Sequence, residues 1–189
     1  MLGRTHQSIG IAVSLGLYIT LAPHEYAPAT FAGVVVCSYI GALLPDLDQA
    51  ASQIWHSVPF GHTVGKVASK LLEHRNLSHS IVGIIIFGYL FKLLLNLFPD
   101  YWGINTTFLL DGFLIAYVCH LLSDMITIEG IPLLFPYHAF LGIPPRPFEG
   151  ARIITGKWFE NLVIFPLANI ILFTIVITHL DQIKHILFK

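Results

Sequence analysis

Ile81–Phe98, IVGIIIFGYLFKLLLNLF, holds one charged residue, Lys92, in eighteen positions. The hydrocarbon core of a bilayer takes about 20 mostly apolar helical residues, with a range of about 17–25. Lys92 stands toward one end, where its stem can snorkel to the interface. The run therefore reads as a membrane-spanning helix. Four more runs read the same way, so spans are predicted near 6–22, 29–45, 80–98, 106–123 and 161–180. The first follows Arg4 and invites a signal-peptide reading, but no small-residue cleavage site is found before Pro23. The expected fold class is all-α: an integral membrane bundle of about five transmembrane helices, one membrane domain over residues 1–189.

Composition agrees. Hydrophobic residues make up 55% and charged residues 11%, and mean hydropathy is +0.74. Soluble domains carry about 25% charged residues, and a soluble chain of 189 residues could not bury so much apolar surface. Membrane lipid is the expected solvent and partner. A formal net charge of −1 speaks against a nucleic-acid partner, which calls for a basic surface. Cys37 and Cys119 lie in apolar runs and read as small buried hydrophobes. Nothing in the sequence indicates a protein partner.

The flank of the Ile81–Phe98 run is as informative as the run itself. His74, Arg75, Ser78, His79 and Ser80 lead into it. If all five runs cross, its N-terminal end shares one membrane side with the start of the first, the ends of the second and fourth, and the start of the fifth. The long connections 46–79 and 124–160 lie there too. Outside the spans, that side carries Arg4, Lys66, Lys70, Arg75, Arg146, Arg152 and Lys157, against Lys184 and Lys189 opposite. The positive-inside rule makes that side, and the N-terminus, cytoplasmic. An interfacial helix is expected within Gly61–Leu72.

The same side collects ionisable residues that are costly at membrane depth and usually functional there: His6, Asp46, Asp48, His74, Arg75, His79, His120 and Asp124. Taken singly they are bland. A histidine at a helix start is commonly an interfacial residue or a cap, and Asp-x-Asp after proline is common in turns. Independent placements would scatter over both faces, so the gathering carries the argument. His120 and Asp124, four apart, share a helix face. Asp46 and Asp48 follow Pro45 and would point the same way in extended backbone. Thr5 and Ser78 are expected N-caps that put His6 and His79 in first helical turns.

Imidazole and carboxylate suit zinc, and a carboxylate-rich set also suits manganese or iron. The candidate ligands of this divalent metal are His6, Asp46, Asp48, His79, His120 and Asp124. They exceed the four of one tetrahedral zinc, so one or two ions are expected. Asp48, His74, Arg75 and Glu160 are the catalytic candidates. A carboxylate or histidine that is not a ligand would be the base, and the Arg75 fork suits a phosphate or carboxylate. Glu160 reads as a capping carboxylate or a further ligand. His56, His62 and His138 are weaker candidates in the site-side loops. Asp111, early in the fourth span, reads as structural or interfacial.

An internal repeat is also visible. Thr5-His6-Gln7-Ser8-Ile9-Gly10 matches Ser78-His79-Ser80-Ile81-Val82-Gly83, and Leu43-Leu44-Pro45-Asp46 matches Leu121-Leu122-Ser123-Asp124. Two hairpins that begin on one side make a parallel repeat, with the fifth span outside it.

Thr5-His6, Leu44-Pro45-Asp46-Leu47-Asp48, His74-Arg75-x-x-Ser78-His79-Ser80, His120-x-x-x-Asp124 and Thr155-Gly156-x-x-x-Glu160 together resemble the YdjM-like family of predicted membrane-bound metal-dependent hydrolases. These are bacterial inner-membrane proteins, some named for a link to the LexA repressor. The resemblance covers nearly the whole chain and implies the cytoplasmic membrane and metal-dependent hydrolysis. A more distant likeness of pattern is to zinc-dependent phospholipase C, which also combines scattered His and Asp with a His-x-x-x-Asp helix. The expected activity is hydrolysis of a phosphoester or related bond in a lipid or amphipathic substrate. The alternatives are an ion or metal transporter and a non-catalytic membrane partner with a structural metal.

Overall fold

Each apolar run folds as a helix whose ends are set by local chemistry. The computed structural model describes residues 1–21, 27–48, 75–97, 103–137 and 139–188. Helix α1 is Gly3–Leu21, α2 Pro28–Leu43, α3 Ile81–Leu95, α4 Thr106–Met125, α5 Phe165–Thr178 and α6 Leu180–Leu187. Pro28 opens α2, where its missing N–H costs nothing. Asn105 caps α4 by accepting the Thr107 N–H at 3.0 Å. A π-helical turn, Glu160–Ile164, leads into α5.

Pro28–Asp46, Thr106–Met125 and Glu160–Thr178 are long and apolar enough to cross a membrane, and Ile81–Leu95 is a shorter apolar helix. Helix α1 is more polar than its neighbours. It packs against α2, α4 and α5, so protein rather than lipid receives its buried Thr5, His6, Ser8 and Ser14. The architecture is thus a helical membrane bundle whose inner helices are α1, α2 and α4. Helix α3 lies on α4, and α5 lies on α1 with most of its surface left for lipid.

The core runs along α4 through Leu109, Phe113, Tyr117 and Leu121, against Leu15 and Tyr18 of α1 and Val34 of α2. Gly41 sets how close α2 and α4 come: a Cβ there would lie 2.2 Å from the Phe113 carbonyl oxygen. Small residues let membrane helices approach backbone to backbone. At the end away from His120, Thr30 ties the two hairpins together. Its hydroxyl donates to the Gly103 carbonyl at 3.4 Å and accepts the Asn105 N–H at 3.0 Å.

Residues 126–159 form an irregular cap on the other end. Isolated bridges pair Thr127 with Ile153 and Ile131 with Leu141. The Ile81 N–H donates to Leu133 O at 3.0 Å and the Ile143 N–H to Met125 O at 2.7 Å, so the cap is strapped to α3 and α4. Arg152, buried, holds the cap from inside by donating to the carbonyls of Pro144 (2.8 Å), Gly142 (3.2 Å) and Ile128 (3.4 Å).

Three local expectations are corrected. Ser78 is not the cap of α3. It ends a single helical turn, Arg75–Ser78, and Ser80 caps α3 by accepting the Gly83 N–H at 3.1 Å. His79 therefore stands before the helix. Thr5 likewise lies inside α1, which begins at Gly3. The backbone after α2 is a 3-10 turn, Leu44–Asp48, not an extended strand, so Asp46 and Asp48 are not aligned by an alternating backbone. The expected interfacial helix within Gly61–Leu72, with His56, His62 and His138, lies outside the described residues.

Candidate metal centre

The centre is assembled from helix ends. His6 comes from the first turns of α1, Asp46 from the 3-10 turn after α2, His79 from the junction before α3, and His120 and Asp124 from the last turns of α4. Tyr117, fully buried on α4, donates to the Ser78 carbonyl at 2.6 Å and so pins the residue next to His79.

His120 Nε2 lies 3.7 Å from Asp46 Oδ1 and 3.5 Å from Asp124 Oδ2. His79 Nε2 lies 3.8 Å from Asp46 Oδ1 and 3.6 Å from Asp124 Oδ2. His6 Nε2 is 3.1 Å from Asp124 Oδ1. The rings of His6 and His120 stack, with centroids 3.7 Å apart and planes at 17°. His6, His79 and His120 are 1%, 5% and 0% exposed, while both carboxylates keep 14%. Two ligand triads result, His6/His120/Asp124 and Asp46/His79/His120, and they share His120. Some contacts cross between hairpins, His6 reaching Asp124 and His79 reaching Asp46, while His79 and His120 also reach Asp124 within their own hairpin.

Hydrogen bonds on the outer nitrogens fix which face each ring presents. His120 Nδ1 lies 2.7 Å from the Ala42 carbonyl oxygen, which can only accept, so Nδ1 carries the hydrogen. Ser123 Oγ donates to the His120 carbonyl at 2.8 Å and therefore accepts from His6 Nδ1, also at 2.8 Å. When neutral, both rings therefore turn an Nε2 lone pair inward. Each of these Nε2 atoms is buried and lacks a hydrogen-bond partner among the described residues. Lone pairs and carboxylate oxygens facing one another repel unless a proton or a metal cation lies between them. The Met1 amino group contacts Asp124 Oδ1 and supplies one positive charge there. The donor set of three imidazoles and two carboxylates fits a divalent metal, with the outer-nitrogen bonds metal-binding histidines usually make.

Glu160 is fully buried but differently engaged. Its Oε1 accepts the Leu2 N–H and its Oε2 the Gly156 N–H, each at 2.7 Å. It braces the turn that begins α1 against the cap, one residue along from the Met1–Asp124 contact. Beside it, Arg4 donates to Asn161 Oδ1 at 2.8 Å and lies over the Phe165 ring. His74 and the side chains of Asp48 and Arg75 lie outside the described residues. Asp111 is exposed toward the opposite end of α4, away from the centre.

The structure thus brings together His6, Asp46, His79, His120 and Asp124. Sequence reasoning missed the groups that orient them. Ser123 was visible as the residue before Asp124 and three after His120, the spacing at which a hydroxyl bonds back to a helix carbonyl. The Ala42 carbonyl carries no side-chain signal.

A family model described as YdjM inner membrane protein matches residues 1–183. The uncharacterised protein YvsG of Bacillus subtilis (strain 168) is 30% identical over 166 residues, which cover 87% of this chain and 88% of YvsG. The inner membrane protein YdjM of Escherichia coli (strain K12) is 30% identical over 103 residues, 54% of this chain. That match spans about half of the E. coli protein, 49% of its length, and the YdjM of Shigella flexneri matches to the same extent. No solved structure matches.

Proposed function

The chain belongs to the YdjM inner membrane protein family, and on that premise we propose that it is a membrane-bound, metal-dependent hydrolase. The observation that carries the proposal is the pair of buried Nε2 atoms, His6 and His120, which face two carboxylates at one end of a membrane bundle. His6, Asp46, His79, His120 and Asp124 would hold the metal, zinc first, with manganese or iron as alternatives. The two triads that share His120 accommodate one ion or two. A bound divalent ion would supply Lewis acidity and lower the pKa of its water toward about 7.

This chain's own residues supply the rest. Ser123 and the Ala42 carbonyl hold the imidazoles of His6 and His120 with their lone pairs inward. Asp48 and His74, from the same chain segments as the ligands, are proposed to take or deliver the proton. Arg75, four residues before His79, is proposed to hold the anionic group in its planar fork. The substrate proposed is a phosphoester or related bond of a lipid or amphipathic molecule, because the centre sits where membrane helices end. The excess of Lys and Arg on that side makes it cytoplasmic.

The deciding experiment is metal analysis of purified protein with and without His120→Ala, followed by turnover of phospholipids and isoprenoid phosphates after chelation and metal restoration. Bound metal lost with His120→Ala and metal-dependent turnover of one substrate are expected. Wild-type protein without stoichiometric metal would sink the proposal. The near-complete burial of His6 and His120 favours a second reading, a structural metal. The order of loss separates the two: a structural ion unfolds the bundle on chelation, whereas a catalytic ion costs turnover first.

A further inference from the structure

The cap over the metal centre is unusual in what it exposes. Leu134, Tyr137, Phe140, Phe148, Ile154 and Trp158 stand at the surface, each at least half exposed. These are not side chains of a loop free to fold them away. The cap is fastened at Leu133 to the start of α3, at Ile143 to the end of α4, and at Gly156 to Glu160, while Arg152 ties its carbonyls from within. Its apolar groups are held outward. Monomeric soluble surfaces rarely expose contiguous apolar patches beyond a few hundred Å².

We propose that the cap, residues 126–137 and 139–159, is an interfacial membrane-binding surface, seated in the headgroup and upper acyl layer of the same bilayer that its helices cross. Continuity argues for lipid as the occupant. Trp158 and Phe159 run directly into Glu160–Thr178, the span with the least surface buried in protein, and Trp and Tyr concentrate where spans meet the interface. Lys157 is exposed on the same segment, placed for anionic headgroups, while Arg146 pairs with Glu149 at 2.9 Å. A groove of about 380 Å³ lies between Ala151–Ile154 and Lys157–Phe159, walled by Ile153, Ile154, Trp158 and Phe159. The cap also hydrogen-bonds to the metal-bearing helix end, since the Thr127 hydroxyl donates to the Asp124 carbonyl at 2.7 Å. The lipid-facing cap is thereby tied to the helix end that carries His120 and Asp124. The surface rests on the membrane location and not on the proposed reaction.

The test reads tryptophan depth and needs no activity. Trp55→Phe with Trp102→Phe leaves Trp158 as the sole reporter. A second variant carries Tyr137→Trp with all three native tryptophans changed to Phe, and serves if the first fails to fold. Each is reconstituted in vesicles of phosphatidylcholine and phosphatidylglycerol. Spin labels sit near the carbonyl end or near the methyl end of the lipid chain, and acrylamide is the aqueous quencher. Both reporters are expected to lose most of their emission to the shallow label and little to acrylamide, at a depth of about 5–10 Å below the surface. Strong acrylamide quenching without lipid quenching would put the cap in water and overturn the proposal. So would preference for the deep label. Protection from every quencher would mean that protein, either residues 49–74 or another chain, covers the face instead. Normal lipid quenching in protein that turns over no phospholipid or isoprenoid phosphate would count against the hydrolase reading alone.

Discussion

His120 is the most constrained side chain of the centre. One nitrogen is committed to the Ala42 carbonyl and the other faces Asp46 and Asp124. Because both triads use it, His120→Ala should remove bound metal from the whole centre, not half of it. Asp124→Asn keeps the shape and removes a negative charge, and the double variant should be no worse than His120→Ala, since residues that act as one unit are not additive. Metal content by elemental analysis checks this. An additive loss would mean separate sites. Ser123→Ala probes orientation instead of ligation. It leaves every ligand in place but frees the His6 ring from its outer hydrogen bond, so metal affinity should fall about 10–100-fold. Competition with a chelator of known affinity measures it, and wild-type affinity in Ser123→Ala would remove Ser123 from the centre.

At the scale of elements, the centre depends on how closely α2 and α4 pack. Gly41→Ala would place a methyl group against the Phe113 carbonyl, and overpacking of this kind costs about 1–3 kcal/mol. The variant should melt at lower temperature and bind metal more weakly, because the same approach carries the His120–Ala42 hydrogen bond. An unchanged melting curve would show that the helices can shift without cost. The helices themselves were legible, since long apolar runs have few alternatives in lipid. The grouping of His6, Asp46, His79, His120 and Asp124 was legible because crossing helices can end on only two sides. What the sequence concealed was short-range choice. Ser78 and Ser80 are equally good caps by type, and only the bond from Gly83 to Ser80 decides between them. Pro45 fits a turn or an extended segment, and the 3-10 turn that forms there aims Asp46 at His79 and His120. The cap was unreadable because Arg152 holds it through carbonyls up to 24 residues away, and backbone acceptors leave no sequence signature.

For the molecule as a whole, the asymmetry of Lys and Arg predicts an orientation that can be read in intact cells. With Cys37 and Cys119 changed to Ala, a cysteine at exposed Gly150 should resist a membrane-impermeant thiol reagent, and one at exposed Asp181 should react. The reverse pattern would turn the protein over and put the centre outside. The crossed contacts, His6 with Asp124 and His79 with Asp46, also set a timetable. A ribosome adds about 5–20 residues per second, so Asp124 emerges on the order of ten seconds after His6. During that interval the first hairpin has entered the bilayer with half a chelator and nothing to close it. On the proposed reading, metal capture would wait until α4 has been made. A chain stopped after Ile104 should insert and span the membrane yet retain no metal through purification, whereas one stopped after Thr178 should retain it. Stoichiometric metal on the shorter chain would mean that the centre loads without His120 and Asp124 of α4.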